Sequence, residues 1–237
     1  MQIFLCFSSG DRYTIVNSIL YNLKQFGIPI WYDYHELTLG DDRIIGNFVE
    51  GLDLCDYSIV ILSTNMFECK CGNDELDVIK KRYFNNTMHI FPLFYNIKAY
   101  MLPERYNWLK SLIYNEIEDN TGTLSACKQI VYQIVKDELK TQKRQSLNLF
   151  IDSSDIFINN ALQIYNQTDV DNFNSRFTIL YMIYIYISEK DFYISDMHKC
   201  ILQRMCKISQ LNISFPHKDM LIIETILIIL LNNYFDD

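Results

Sequence analysis

The sequence predicts an α/β fold over residues 1–141, built on a five-stranded parallel sheet, followed by a small all-α domain over residues 146–237. Short apolar segments alternate with helical patterns in the first part, as is typical of parallel sheets. Beyond residue 146 only helical patterns remain. The polar and basic stretch at 140–146 lies between the two parts and marks the predicted domain boundary.

Five apolar segments are predicted to form the strands of the sheet. Four of them are short runs rich in β-branched and aromatic residues, which is typical of buried strands. The predicted strands cover 2–7, 29–32, 57–62 and 88–94, with a fifth within 110–117.

Helices are predicted between the strands where apolar residues recur at i, i+3, i+4 and i+7. Asp11 is interpreted as a cap of the first helix, the polar segment 33–42 as a loop that turns at Gly40, and 73–83 as the third helix. The apolar faces are Ile15, Ile19, Leu20 and Leu23, then Ile45, Phe48, Val49 and Leu52, and last Cys127, Ile130, Val131 and Ile134.

The second part is predicted to be a bundle of about four helices. Its helical signals are Phe157, Ala161 and Ile164; the run 177–187; Met197, Ile201, Met205 and Ile208; and the run 220–231. Both runs are shorter than the ~20 residues that cross a bilayer, and Glu224 interrupts the second. We expect buried helices without membrane contact, serving as an oligomerisation or regulatory domain.

Composition excludes several classes of function. The formal charge is −8 and the 21 basic residues are dispersed, so a nucleic-acid partner is not expected. The seven cysteines form no disulfide framework and no paired metal-ligand motif, which predicts reduced thiols and no metal site. Because no signal-like leader opens the sequence, we expect a cytoplasmic protein.

Common catalytic motifs are missing from the sequence. It contains no Walker loop, no G-x-G-x-x-G after the first strand, no H-E-x-x-H and no G-x-S-x-G. A response-regulator receiver would need an aspartate at the end of the third strand, where this chain has Leu62-Ser63-Thr64. These enzyme and receiver classes are therefore excluded.

Four ordered motifs lie at the carboxyl ends of the predicted strands, where an open parallel sheet binds its ligands. They are Phe4-Leu5-Cys6-Phe7-Ser8-Ser9-Gly10-Asp11-Arg12, Trp31-Tyr32-Asp33 with Leu37-Thr38-Leu39-Gly40-Asp41, Ile59-Val60-Ile61-Leu62-Ser63, and Asp74-Glu75-Leu76. Together they resemble the TIR (Toll/interleukin-1 receptor) domain family, of the prokaryotic type with a C-terminal helical extension. The resemblance implies a flavodoxin-like sheet.

This chain departs from the family pattern at two places. Cys6 stands where the family usually has a small serine. Lys70-Cys71-Gly72 stands where an aromatic residue usually precedes the catalytic glutamate. The second departure affects the expected wall of the pocket but not the glutamate itself.

The resemblance implies an NAD+ hydrolase or cyclase that releases nicotinamide and ADP-ribose, or a cyclic or conjugated product, with NAD+ as substrate and no cofactor. Glu75 would be the catalytic residue, and Phe7, Ser8, Trp31, Asp33 and Thr38 would bind the substrate. Prokaryotic members commonly serve in anti-phage defence. Self-association is implied through the TIR domain, whose BB loop would include Asp41 and Asp42, and through the helical domain.

Three other interpretations remain open at this stage. Without the resemblance, Glu75 is a solvated acid in the first turn of a helix, where the macrodipole favours it. The TIR domain could be a non-catalytic interaction scaffold or effector, because fold alone does not decide function. Glycosyl transfer of the nucleoside deoxyribosyltransferase type would share the sheet and the single glutamate, but it would not account for the BB-loop pattern.

Overall fold

The computed structural model describes residues 1–42, 45–118, 122–190, 192–211 and 217–236. The chain divides into two compact units, Met1–Cys127 and Lys128–Asp237. This division falls inside the helix Thr123–Leu139 rather than in the basic stretch where the boundary was predicted. The last helix of the first predicted domain is therefore shared by the two units.

Within the described ranges, the first unit has five parallel strands in the order β2-β1-β3-β4-β5. They are β1 Ile3–Cys6, β2 Ile30–Trp31, β3 Tyr57–Leu62, β4 His89–Tyr95 and β5 Asn115–Ile117. The predicted fold class is confirmed, and the fifth strand lies where it was expected. The strand order reverses between β1 and β3, which places a ligand-binding crevice outside their carboxyl ends.

The helices of the first unit begin with α1 at Asn17–Gln25, which follows a 3-10 turn at Ser9–Asp11 and a π-helical turn at Arg12–Val16. The others are α2 Asp33–Glu36, a π-helical segment Ile45–Leu52, α3 Thr64–Glu68, α4 Lys70–Phe84 and the start of α5 Thr123–Leu139. The predicted apolar faces of α1 and α5 are confirmed, since every residue assigned to them is buried.

Two element boundaries differ from the prediction. The segment 33–42 was predicted as a loop, but its first turn is the helix α2. The third helix was expected at about 73–83, and α4 instead begins at Lys70, where the Cys69 sulfur accepts a hydrogen bond from the backbone N–H of Gly72 at 3.4 Å. This cap moves Glu75 from the first turn of the helix to the second.

The predicted apolar face of the segment Ile45–Leu52 is wrong at two of its four residues, since Leu52 is buried and Phe48 packs against the core. Ile45 and Val49 are 52% and 56% exposed, whereas Asn47 and Leu52 are buried. The segment is π-helical, with i→i+5 hydrogen bonds that widen each turn. Residues four and five apart, such as Asn47, Gly51 and Leu52, therefore share the buried face in place of the α-helical set.

Gly51 lets this π-helical segment pack directly on the aromatic core. The rings of Phe4 and Trp31 are stacked, with centroids 5.2 Å apart and planes at 14°. A Cβ atom on Gly51 would lie 2.9 Å from the Trp31 ring and 3.0 Å from the Phe4 ring. The close approach of helix and ring thus requires glycine at this position.

In the described part of the second unit, four helices follow α5, in agreement with the prediction. They are α6 Ile156–Gln167, α7 Phe173–Ser188, α8 Asp196–Leu211 and α9 His217–Asp236. The residues that signalled a helix, Phe157, Ala161 and Ile164, all lie on α6. The buried side chains of α6 are nevertheless Ile158, Leu162 and Tyr165, whereas Ile164 is 56% exposed. Two apolar stripes with helical spacing compete in α6, and periodicity alone does not separate them.

Helix α9 is buried along almost its whole length, and polar contacts fix it at three levels. Asp219 pairs with Lys128 at 2.7 Å. Glu224 accepts hydrogen bonds from Tyr165 of α6 and from Arg176 of α7, and the Asn232 side chain bonds both backbone groups of Arg144. Among the described residues, no helix is both long enough and apolar enough to span a membrane.

Replacing Gly51 with alanine should destabilise the first unit, because neither the Phe4 ring nor the Trp31 ring can retreat from the new Cβ. We expect the free energy of unfolding to fall by about 1–3 kcal/mol. Urea unfolding followed by circular dichroism measures this loss.

Gly46→Ala is the matched control in the same π-helical segment. The atom nearest to its Cβ would be Leu37 Cδ2 at 2.3 Å, which is the end of a flexible side chain and not an aromatic ring. We expect a change within about 1 kcal/mol, since alanine also favours the helix by about that amount. Equal losses in the two variants would contradict the packing role assigned to Gly51.

Candidate active site

A cavity of about 240 Å³ lies at the carboxyl ends of β1 and β2, against the start of α4. Its wall contains aromatic rings, two thiols, one cation and two acids. The lining residues are Phe4, Leu5, Phe7, Ser9, Arg12, Trp31, Asp33, Cys69, Cys71 and Glu75. The cavity is therefore at the sheet edge where the sequence places its ligand-binding motifs.

Glu75 carries the buried carboxylate of this cavity. It is 7% exposed, although acids are rarely buried unless they are paired. Its Oε1 accepts a hydrogen bond from the Asn47 side-chain amide at 2.7 Å. The interpretation of Glu75 as a solvated first-turn acid is therefore wrong: the side chain is held inside the protein and faces the cavity.

Cys6 lies beside Glu75, at the position where the sequence departs from the family serine. Burial raises the pKa of the Cys6 thiol well above its usual range, and the charge of Glu75 raises it further. Its Sγ donates to the backbone carbonyl of Gly72 at 3.5 Å. Cys6 therefore remains a neutral thiol and adds no second negative charge next to the glutamate.

Arg12 and Asp33 form the charged part of the wall. The Arg12 guanidinium lies 3.5 Å from the Asp33 carboxylate. The same guanidinium lies 5.7 Å from the centroid of the Phe7 ring and 5.6 Å from that of Tyr32, within the range of cation–π attraction. This part of the wall can take up both a polar group and an aromatic ring of a ligand.

Asp11 does not cap the first helix, contrary to its interpretation from sequence. Its carboxylate is 1% exposed and accepts hydrogen bonds from the Ser63 hydroxyl at 2.5 Å and the Asn65 amide at 2.7 Å. Ser63 also caps α3, accepting from the backbone N–H of Met66. Asp11 therefore joins the residues that follow β1 to those that follow β3.

Four of the six residues assigned to the site from sequence line the cavity: Phe7, Trp31, Asp33 and Glu75. Ser8 is buried, and its neighbour Ser9 lines the cavity in its place. Thr38 is not brought to the cavity. Both its N–H and its hydroxyl donate to Asp41, which fixes the loop locally.

Sequence reasoning missed Arg12, Cys69, Cys71 and Asn47 as residues of the site. Arg12 ends the first motif and could have been identified from its position. Nothing in the sequence around Asn47 predicted its burial, because Asn47 faces the core only when the segment is π-helical. In the part of the chain that the structure describes, no three His, Cys, Asp or Glu side chains are grouped so as to hold a metal ion.

Residues 3–131 match the sequence model of a family described as "TIR domain". The NAD(+) hydrolase TcpC of Escherichia coli is 34% identical over 97 residues, which cover 40% of this chain and 31% of TcpC. The 2' cyclic ADP-D-ribose synthase AbTIR of Acinetobacter baumannii is 30% identical over 96 residues, covering 40% and 35%. The NAD(+) hydrolase TcpA of a Theionarchaea archaeon is 28% identical over 148 residues, covering 62% and 41%.

The chain spans about a third to two fifths of the length of these curated relatives. The match to TcpA extends over more of this chain than the matches to the other two relatives. The residues that match the family model, 3–131, contain all five strands of the sheet.

Asp11→Ala should destabilise the first unit strongly, because the Ser63 and Asn65 donors lose a buried charged acceptor. We expect the free energy of unfolding to fall by about 3 kcal/mol. Chemical unfolding at neutral pH measures it.

Asp33→Ala is the control for Asp11, since it removes an acid from a partly exposed ion pair. A loss of less than about 1 kcal/mol is expected there. An Asp11 variant as stable as the Asp33 variant would show that the link between the two strand ends contributes little.

Proposed function

Because the chain belongs to the TIR domain family, we propose that it is an NAD+ hydrolase or cyclase that cleaves the bond between nicotinamide and ribose. The buried Glu75 carboxylate in the cavity is the observation that carries this proposal. The activities for which TcpC, AbTIR and TcpA are named, NAD+ hydrolysis in two and cyclic ADP-ribose synthesis in one, support it. NAD+ is the substrate, and the reaction needs no further cofactor.

A single carboxylate suits this reaction. Nicotinamide is already cationic in NAD+, so it departs as a neutral base without a general acid. As it departs, positive charge moves onto the ribose carbon, and the buried Glu75 carboxylate stabilises that charge. A glycosidase, whose leaving group must be protonated, would instead need two carboxylates.

The product depends on which nucleophile reaches the ribose carbon. Water gives ADP-ribose, whereas a group of the substrate itself gives a cyclic isomer. The relatives carry both activities in their names. We propose nicotinamide release as the common step, and the remaining wall of the site selects the nucleophile for the second step.

The size of the cavity supports a role for self-association. Its volume of about 240 Å³ is below the roughly 300–1,000 Å³ typical of ligand sites. We propose that it accepts the nicotinamide end of NAD+ near Phe7, Arg12 and Asp33, and that a second copy of the chain covers the rest of the dinucleotide. Leu39, Ile45 and Val49 are exposed large apolar side chains of the kind that such a contact would bury.

We propose that the helical part, predicted over 146–237, is the oligomerisation or regulatory domain. Met182 and Ile185 of α7 are large apolar side chains that are 50% and 41% exposed, which supports a contact surface there. We also propose a cytoplasmic protein that acts in anti-phage defence. The seven cysteines, all within the described ranges, are thiols rather than disulfides, which suits a reducing compartment.

Glu75→Gln should abolish nicotinamide release, because the amide is isosteric but carries no negative charge to stabilise the ribose cation. We expect a fall in kcat of at least about 100-fold. The assay follows nicotinamide by chromatography after NAD+ is added to the protein, both dilute and under crowding that promotes assembly.

Asp77→Asn is the matched control on the same helix, since Asp77 is exposed and pairs with Arg105 outside the cavity. It should cleave NAD+ as fast as wild type. If assembled wild type leaves NAD+ intact, the scaffold interpretation replaces the enzyme; if Glu75→Gln cleaves normally, the site assignment fails.

A further inference from the structure

We propose that Asn47 is a positioning residue for the reaction, which holds the Glu75 carboxylate ionised and correctly oriented through its side-chain amide. This inference rests on the proposed function of Glu75. Asn47 is outside the four sequence motifs and does not line the cavity. It would therefore act on the substrate only through the glutamate.

The contact between the two side chains is direct and buried. Asn47 is 2% exposed and Glu75 is 7% exposed, and the Asn47 Nδ2 donates to Oε1 at 2.7 Å. The residues belong to different elements, the π-helical segment and α4. A hydrogen bond of this length to a buried carboxylate fixes the carboxylate and favours its charged form.

The other end of the Asn47 side chain shows that the residue is not optimised for stability. Its Oδ1 is buried, and no hydrogen-bond donor in the described part of the chain reaches it. A buried acceptor without a partner costs free energy that an apolar residue of the same size would avoid. Only one end of the Asn47 side chain is hydrogen-bonded. The hydrogen bond from its Nδ2 to Glu75 explains why an asparagine is present in the core.

The surroundings of Glu75 explain why a hydrogen-bond donor matters there. Burial and the charge of Glu75 both raise the pKa of the neighbouring Cys6 thiol, and Cys69 and Cys71 line the same cavity as Glu75. Burial of a carboxylate is unfavourable unless the carboxylate is hydrogen-bonded. The Asn47 amide is a donor that offsets this cost.

The first test compares the rate–pH profiles of wild type, Asn47→Leu and Asn47→Asp. Leucine keeps the shape but removes the donor, so kcat should fall about 10- to 100-fold with little change in KM. The acidic limb of the Asn47→Leu profile should also move to higher pH, because the glutamate binds a proton more readily without its donor.

Asn47→Asp should behave differently from the leucine variant. The introduced carboxyl group and Glu75 would share one proton, and that proton replaces the lost amide donor while it is bound. The variant should therefore lose activity as the pH rises and regain it as the pH is lowered. A purely structural role for Asn47 predicts no such recovery.

The second test measures folding and does not depend on activity. Loss of the Asn47 donor should reduce the folding equilibrium constant about tenfold more at about pH 7.5 than at about pH 4, where Glu75 is more protonated. The control is Asn22→Leu, because Asn22 is buried and its amide donates to the uncharged Ser18 carbonyl and Thr123 hydroxyl. Its cost should be the same at both pH values.

Three outcomes would overturn the inference. One is an Asn47→Leu variant whose acidic limb coincides with that of wild type while wild type cleaves NAD+, which would leave the proposed function intact. Another is a folding cost for Asn47→Leu that is independent of pH, as in the Asn22 control. A wild type that releases no nicotinamide in any assembled state would overturn this role together with the proposed function.

Discussion

The buried carboxylate of Asp11 is the constraint on which the candidate site depends. It joins the segment after β1 to the segment after β3 through Ser63 and Asn65. Further hydrogen bonds follow along the chain, since Ser63 caps α3 and Cys69 caps α4. Asn73 then fixes the junction of the two helices by donating to the carbonyls of Met66 and Cys69. Each step is a short local hydrogen bond, and together they set where α4 begins. The position of Glu75 is a result of that start.

The sequence predicts the sheet and the faces of α1 and α5 well, because burial on one side of a regular element leaves a period that can be read from residue types. The prediction of the buried face fails at Ile45–Leu52. The apolar residues there fit an α-helical pattern, but the backbone is π-helical, and Asn47 is buried as a result. At α6 the sequence predicts the helix, but it does not show which of two apolar stripes is buried. The sequence gives the motif residues in the right order, but it does not give the surroundings of each residue. Thr38 lies in a loop that is held by its own hydrogen bonds, whereas Glu75 lies on a helix and is buried.

The site combines a costly polar cluster with a rigid apolar support. Asp11, Asn47 and Glu75 are buried polar groups in a small unit, and burial of each is unfavourable unless it is bonded. The Phe4 and Trp31 rings are stacked, and the π-helical segment packs closely against them at Gly51. These contacts form the dense apolar layer that supports the polar cluster. Dense packing resists deformation, so the polar groups keep their geometry without a ligand to organise them. The apolar support thus offsets part of the cost of burying the polar cluster.

The three polar anchors of α9 have a consequence for how the second unit finds one structure. A helix that is apolar on every side has no preferred rotation and could slide by a turn against its neighbours at little cost. Asp219, Glu224 and Asn232 each meet their partners in only one register, because a shift in either direction would leave buried charges or amides without hydrogen bonds. These polar residues therefore specify the register of α9. They give less hydrophobic stabilisation than apolar residues would, but they select a single alignment of the bundle.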